Sequence, residues 1–269
     1  MHPGSGASDR DNDMYFPPIR EHLLASGFAV SSFDKRGVGG STGRWQEAAI
    51  AEQADDVLAA VDALLANDDL DGPVGLFGHS QGGWVVVEAG GRGAPVAFVV
   101  SNSGPGVTPA EQERYATRSY LARNGLASAE IEKELERFDL LLDMMRAGAS
   151  LENVPGRAEG AGVPTGFLDH ELPLFPDDVE LWEFMAAILD YDPRPALERI
   201  DVAVLALFGG DDTIVPVEDS VAVYREAVRP GLLTVAVFDD GNHRIQTGDP
   251  PLLADGYLET LTSFIAGAV

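Results

Sequence analysis

Apolar residues along this chain fall into two alternating patterns. Short runs are almost continuously apolar and β-branched: Phe28 to Phe33, Val74 to Phe77, Val96 to Val100, Val202 to Phe208 and Leu232 to Phe238. Such runs predict strands buried on both faces, as in a parallel sheet. Between them lie stretches with an apolar stripe at helical spacing: Ile19 to Ala25, Trp45 to Ala66, Gln81 to Gly90, Val217 to Val228 and Leu252 to Ile265. In the second of these, Ile50, Ala54, Val57, Val61, Leu64 and Leu65 share one face. The alternation of strand and helix predicts an α/β fold, with a mostly parallel sheet covered by helices on both faces.

One block breaks this rhythm. No convincing strand occurs between Gly104 and about Arg199. Glu111 to Arg123 is helical in pattern. Ser128 to Arg146 is the clearest helix of the chain, with Ile131, Leu135, Phe138, Leu142 and Met145 on one face. Ser150 to Asp177 is rich in Gly and Pro and has no period, and Asp178 to Asp190 is helical again. The expected organisation is a core of residues 1–104 and 200–269, with residues 105–199 inserted as a helical cap.

Composition narrows the class. The 269 residues are 45% hydrophobic and 23% charged, which suits one domain with a sizeable core. The formal charge is −26, with only two lysines, Lys35 and Lys133. A surface this acidic repels nucleic acid and anionic membranes, so neither is an expected partner. The charge fits a salt-adapted source or, equally, a GC-rich genome that favours Arg and Asp over Lys. Without cysteine there is no disulfide and no thiolate metal site. The first residues lack the basic and apolar regions of a secretory signal, and the expected location is cytoplasmic. Oligomeric state is not readable.

Candidate chemistry begins at Gly78-His79-Ser80-Gln81-Gly82. This Gly-x-Ser-x-Gly stands where a strand-like run ends and a helix-like run begins. A serine on so sharp a turn presents its hydroxyl above the sheet, beside N–H groups of a helix start. A second match, Gly39-Gly40-Ser41-Thr42-Gly43, lies in a glycine-rich loop, where Ser41 or Thr42 is expected to cap the following helix. A serine nucleophile needs a base and a carboxylate to orient that base. Of the five histidines, His22 and His170 read as ordinary polar residues, and His79 is expected to point away from the base position. His243, in Asp239-Asp240-Gly241-Asn242-His243, follows the last strand, where parallel sheets place their sites. Asp211 and Asp212 follow another strand, and either could serve as the carboxylate.

These segments together resemble the α/β-hydrolase fold serine hydrolases, from near the first residue to the last. Gly78 to Gly83 is similar to that family's nucleophile elbow. Gly209-Gly210-Asp211-Asp212-Thr213-Ile214-Val215-Pro216 resembles its acid loop, which selects Asp212 over Asp211, and Gly241-Asn242-His243 resembles its base loop. Asp34-Lys35-Arg36-Gly37-Val38-Gly39-Gly40-Ser41 is similar to the Asp-x-Arg-Gly-x-Gly-x-Ser segment of the family. Gly4 to Asp11 is similar to a loop of a carboxylesterase-like subgroup, although Pro3 stands where that subgroup has histidine.

The resemblance implies catalytic Ser80, Asp212 and His243, and an oxyanion hole made by the N–H groups of Ser5 and Gln81. It implies hydrolysis of small carboxylic esters through an acyl-enzyme, with no cofactor and no metal. Trp84, Phe138, Leu142, Met145 and Trp182 are candidates to line the substrate pocket, with core packing as the competing role. Alternatives are an aminopeptidase, thioesterase or lactonase of the same fold, or a non-catalytic ligand-binding relative. An aminopeptidase would hold a substrate ammonium on cap carboxylates such as Glu171 or Asp178. The family also places a central strand before the Gly4 loop. The expectation is therefore that N-terminal strands are missing, leaving a gap flanked by Val30 and Leu76, and that the native chain begins upstream of Met1.

Overall fold

The structure, a computed structural model, describes residues 1–154 and 179–269. They form two compact units, Met1–Val107 with Asp192–Val269, and Thr108–Tyr191.

In the first unit, strands β1 (Gly75–His79), β2 (Phe98–Asn102), β3 (Ala203–Gly209) and β4 (Leu233–Phe238) form one parallel sheet in that spatial order. Phe77 lies level with Val100, Val100 with Leu205, and Leu205 with Thr234. On one face Phe77, Phe98, Val100, Leu205 and Leu207 pack with α1 (Phe16–Ala25) and with the chain's last helix, Tyr257–Ala268. The same face takes Tyr15, Phe16, Ile19, Tyr257 and Leu261, all at most 1% exposed. The neighbouring positions turn the other way: Val99 lies beside Gly90 of α3 (Gln81–Gly91), and the Phe208 ring meets Tyr224 of a helix at Val217–Ala227 edge-on. Around β1, β2 and β3 both faces are therefore apolar, which is why these strands read as continuous runs. The edge strand β4, expected to be buried on both faces, is only half-buried, with Thr234 and Val237 exposed.

Strand β2 runs two residues past its expected end. Ser101 and Asn102 stay in it because buried partners satisfy them. Ser101 Oγ accepts from the Tyr224 hydroxyl at 2.6 Å. The Asn102 amide accepts from Tyr257 at 2.7 Å and donates to Tyr15 at 3.1 Å. A polar pair fully enclosed but hydrogen-bonded carries little penalty.

Four expectations need correction. The Trp45–Ala66 stretch is not one helix: a 3₁₀ turn at Trp45–Glu47 is followed by α2 (Ile50–Leu65), with Ala48 and Ala49 extended between them. The Gln53 amide donates to the Ala48 carbonyl at 2.9 Å and satisfies the break. Ser41 caps no helix; its hydroxyl donates to the Asp34 carbonyl at 2.7 Å and closes the 34–41 loop. The last helix starts at Tyr257, because Leu252–Leu253 instead pairs antiparallel with Gln246–Thr247. Residues Phe28–Phe33 form no strand, since no described strand pairs with them.

Between that segment and β1 lies an apolar cavity of about 340 Å³, lined by Phe28, Val30, Leu76, Phe77, Phe98 and Val100 among others. At its end, His2 alone pairs with β1: its N–H donates to the Phe77 carbonyl at 2.8 Å and its carbonyl accepts from His79 N–H at 3.1 Å.

The second unit contains α4 (Pro109–Arg123), α5 (Ser128–Arg146) and α6 (Val179–Ile188). Helix α4 opens on a capping box, with the Thr108 hydroxyl accepting from Glu111 N–H and the Glu111 carboxylate accepting from Thr108 N–H. The stripe read from the sequence of α5 is buried, Leu135 at 0% and Phe138 at 2% exposure. Most of the Gly/Pro-rich segment expected at Ser150 to Asp177 lies outside the described residues.

Candidate active site

Three loops at the carboxyl ends of β1, β3 and β4 converge in the first unit. The turn after β1 carries Ser80, with φ 55° and ψ −121°. This conformation is strained for a residue with a side chain and persists only where the surroundings impose it. Glycines make it possible. A Cβ on Gly78 would sit 1.9 Å from the Gly82 carbonyl oxygen, and one on Gly82 would sit 2.5 Å from the His2 carbonyl oxygen. The Ser80 N–H is held by the Asn102 carbonyl at 2.9 Å.

His243 Nε2 lies 2.9 Å from Ser80 Oγ, and its Nδ1 lies 2.8 Å from Asp212 Oδ2. Asp212 Oδ1 accepts from Ile214 N–H at 2.8 Å and from Val215 N–H at 2.9 Å. The Asp212 side chain is wholly buried, while Asp211 is exposed. With the carboxylate accepting at Nδ1–H, Nε2 is left to accept from the serine hydroxyl. Backbone packing sets the separation of these loops: a Cβ on Gly209 would meet the Asn242 carbonyl oxygen at 2.2 Å.

A second hydrogen-bonded chain braces the site. Gly4 N–H donates to Asn12 Oδ1 at 3.1 Å, and Asn12 Nδ2 lies 2.9 Å from His79 Nδ1. His79 Nε2 reaches the His243 carbonyl oxygen at 3.4 Å. Burial holds the His79 pKa well below the usual histidine range, so the ring is neutral, with Nδ1 accepting and Nε2 donating. His79 therefore does not point away from the base: it ties the base loop to the N-terminal loop. Asn12 sits in a run of three left-handed residues, Asn12, Asp13 and Met14.

Around Ser80 the N-terminal loop comes close. A Cβ on Gly4 would lie 3.5 Å from Ser80 Cβ. Gly4 N–H is engaged by Asn12, and the N–H of Ser5 follows it in the loop. Gln81 opens α3 directly after the serine, and its N–H is among those a helix start leaves without an intrahelical partner.

The motif Asp34 to Ser41 supports this loop. The Asp34 carboxylate accepts from Arg10 N–H at 3.0 Å, from the Arg10 guanidinium at 2.7 Å and from Gly40 N–H at 3.1 Å. These bonds hold its carboxyl well below the usual carboxylate range, the Arg10 side chain contributing most.

The proposed substrate-lining residues are placed as follows. Phe138, Leu142, Met145 and Trp182 pack together in the core of the second unit, where the Trp182 indole donates to the Ala149 carbonyl at 2.8 Å. Trp84, in α3, is buried and donates to the Val107 carbonyl at 3.1 Å. His170, Glu171 and Asp178 lie outside the described residues. His22 bonds Thr262 at 2.7 Å. Sequence reasoning missed Asn12, the inward role of His79 and the burial of Lys35. The Asp-x-Arg-Gly motif leaves the position of Lys35 open, and a pattern does not say which way a lysine turns.

A parallel α/β sheet with a serine, histidine and aspartate joined at its carboxyl end defines a hydrolase architecture. A profile of the alpha/beta hydrolase family matches residues 1–255, and the chain belongs to that family. It is 29% identical over 221 residues to a non-heme chloroperoxidase of Streptomyces lividans, covering 80% of this chain and 73% of that protein. The fold is also that of an esterase from Pyrococcus furiosus, with 17% identity and a TM-score of 0.63 over 98% of this chain and 80% of the other. A proline iminopeptidase from Mycobacterium smegmatis gives 16% identity and a TM-score of 0.62 over 99% and 88%. No helix among the described residues is long and apolar enough to cross a membrane.

Proposed function

We propose that this protein is a serine hydrolase that cleaves small carboxylic esters through an acyl-enzyme. The observation that carries this reading is the unbroken relay Ser80–His243–Asp212, at 2.9 and 2.8 Å. Ser80 Oγ attacks the ester carbonyl carbon while His243 Nε2 takes its proton. The tetrahedral oxyanion is held by the N–H groups of Ser5 and Gln81. As it collapses, the C–O bond to the alcohol breaks and His243 protonates the departing oxygen. Water then attacks the acyl carbon as His243 takes its proton; the bond to Ser80 Oγ breaks, His243 returns the proton to that oxygen, and the carboxylic acid leaves. Asp212 holds the imidazole tautomer and stabilises its cation. Preorganised donors at the oxyanion are worth about 3–4 kcal/mol each by deletion. No step calls on a metal, and turnover should persist in EDTA.

A fluorophosphonate probe tests the reading directly. Ser80 should label and Ser80→Ala should not. An unlabelled wild-type chain would favour the non-catalytic, ligand-binding alternative. A panel of p-nitrophenyl esters of rising chain length, set beside thioesters, lactones and aminoacyl amides, separates the remaining hydrolases. Turnover of one of these classes over esters by tenfold or more in kcat/KM would displace the ester reading.

A further inference from the structure

Lys35 is one of two lysines in the chain, yet it is 3% exposed. Its Nζ donates to the Gly4 carbonyl at 2.9 Å and to Gln81 Oε1 at 2.8 Å. These two acceptors belong to the two separate elements that flank Ser80, the N-terminal loop and the start of α3. We propose that Lys35 is a positioning residue that sets the two oxyanion-binding N–H groups relative to each other. The proposal rests on the hydrolase reading above and deepens it.

The Gly4 carbonyl and the Ser5 N–H belong to one planar trans peptide and point in opposite directions. Fixing the oxygen on Lys35 therefore fixes the direction of the Ser5 N–H. Gly4 is clamped from its other side by Asn12 Oδ1. A donor on the carbonyl oxygen also polarises the amide and strengthens its N–H as a donor. On the other arm, the Gln81 side chain is held by the same nitrogen, and the residue is 3% exposed. One side-chain nitrogen thus joins two chain segments, Gly4 and Gln81, separated by 77 positions in sequence.

Lys35 is itself fixed. Its N–H donates to the Ser8 carbonyl at 3.2 Å, and its Nζ lies 5.9 Å from the centre of the Trp45 ring. Its neighbours are locked as well, Asp34 by Arg10 and Gly40, and Arg36 by Asp56 through bonds of 2.6 and 2.8 Å. Burial pushes the Lys35 pKa down to about 7. Either protonation state leaves hydrogens for both acceptors.

The test uses the full chain, p-nitrophenyl acetate and phenylboronic acid, which forms a tetrahedral adduct on an activated serine. Lys35→Met should lower kcat about 10–100-fold, somewhat less than deletion of an oxyanion donor, with KM changed less than threefold. Affinity for phenylboronic acid should fall by a similar factor. Gln81→Met, which removes the other end of the bridge but keeps the backbone N–H, should cost a smaller factor with the same signature. The double variant should cost little more than Lys35→Met alone. Unchanged kcat, or a loss in KM alone, overturns the proposal. If circular dichroism shows that Lys35→Met does not fold, Gln81→Met decides by the same criteria. A wild-type chain that neither labels nor turns over overturns the hydrolase reading and this inference together. An active wild type with unaffected variants overturns the Lys35 assignment alone.

Discussion

The strip beside β1 differs at its two ends. At the carboxyl end, His2 pairs with Phe77 and His79, and Gly4 is clamped between Asn12 and Lys35. At the amino end, the space between Val30 and Leu76 is hollow, with about 340 Å³ of apolar cavity. Both ends flank the same strand. The difference separates what the site needs from what the sheet needs. The site needs a few backbone groups fixed by hydrogen bonds, and those are present. Packing along the strip needs side chains to fill it, and among the described residues none do.

The tight end should be intolerant of change and the hollow end tolerant. Ser80→Ala should cost the most, about 10⁶ in kcat with an intact fold, whereas Ser41→Ala should keep most activity. A large loss at Ser41 would mean that the wrong serine has been chosen. Asp212→Asn comes next: the wrong imidazole tautomer costs about 10⁴ in kcat. The exposed Asp211, as Asn, should change kcat by no more than a few-fold, and equal losses at the two positions would break the assignment of the acid loop. Gly78→Ala should then destabilise the protein by about 3 kcal/mol, because its new Cβ runs into backbone rather than a movable side chain. Its midpoint in urea measures this, and an unchanged midpoint would show the elbow to be looser than its 1.9 Å approach implies. The smallest effect belongs to the hollow end. Val30→Phe should fill part of the cavity and raise stability by about 1 kcal/mol, with kcat within twofold. A fall in melting temperature there would mean that the cavity walls do not accept an added ring.

Much of the architecture was legible because periodicity reports burial. Runs such as Val202 to Phe208 carry strand β3 within a residue, and the stripe of Ser128–Arg146 carries α5 to both ends. Misreadings arose where local pattern and tertiary partner disagree. Phe28–Phe33 has the composition of a strand, but a strand is a pairing, and no described neighbour supplies one. Ser101 and Asn102 look too polar to belong to a strand, but three tyrosines of distant segments, Tyr15, Tyr224 and Tyr257, keep them in it. Ser41 has the chemistry of a cap, yet its hydroxyl donates to the Asp34 carbonyl instead of accepting from a helix N–H.

For the site, residue type and order along the chain determined which groups could act. A serine between glycines after a strand, and an aspartate and a histidine each after a later strand, limit the chemistry, because only loops at one edge of a parallel sheet can meet. Distances were decided by tertiary structure alone. The choice between Asp211 and Asp212 depends on a side-chain direction set by Ile214 and Val215, which the resemblance indicated but composition could not. The inward turn of Lys35 and the link from Asn12 through His79 to His243 have no sequence pattern. They join residues 46, 67 and 164 positions apart, brought together only when folding removed water from these polar groups and left them to bond one another.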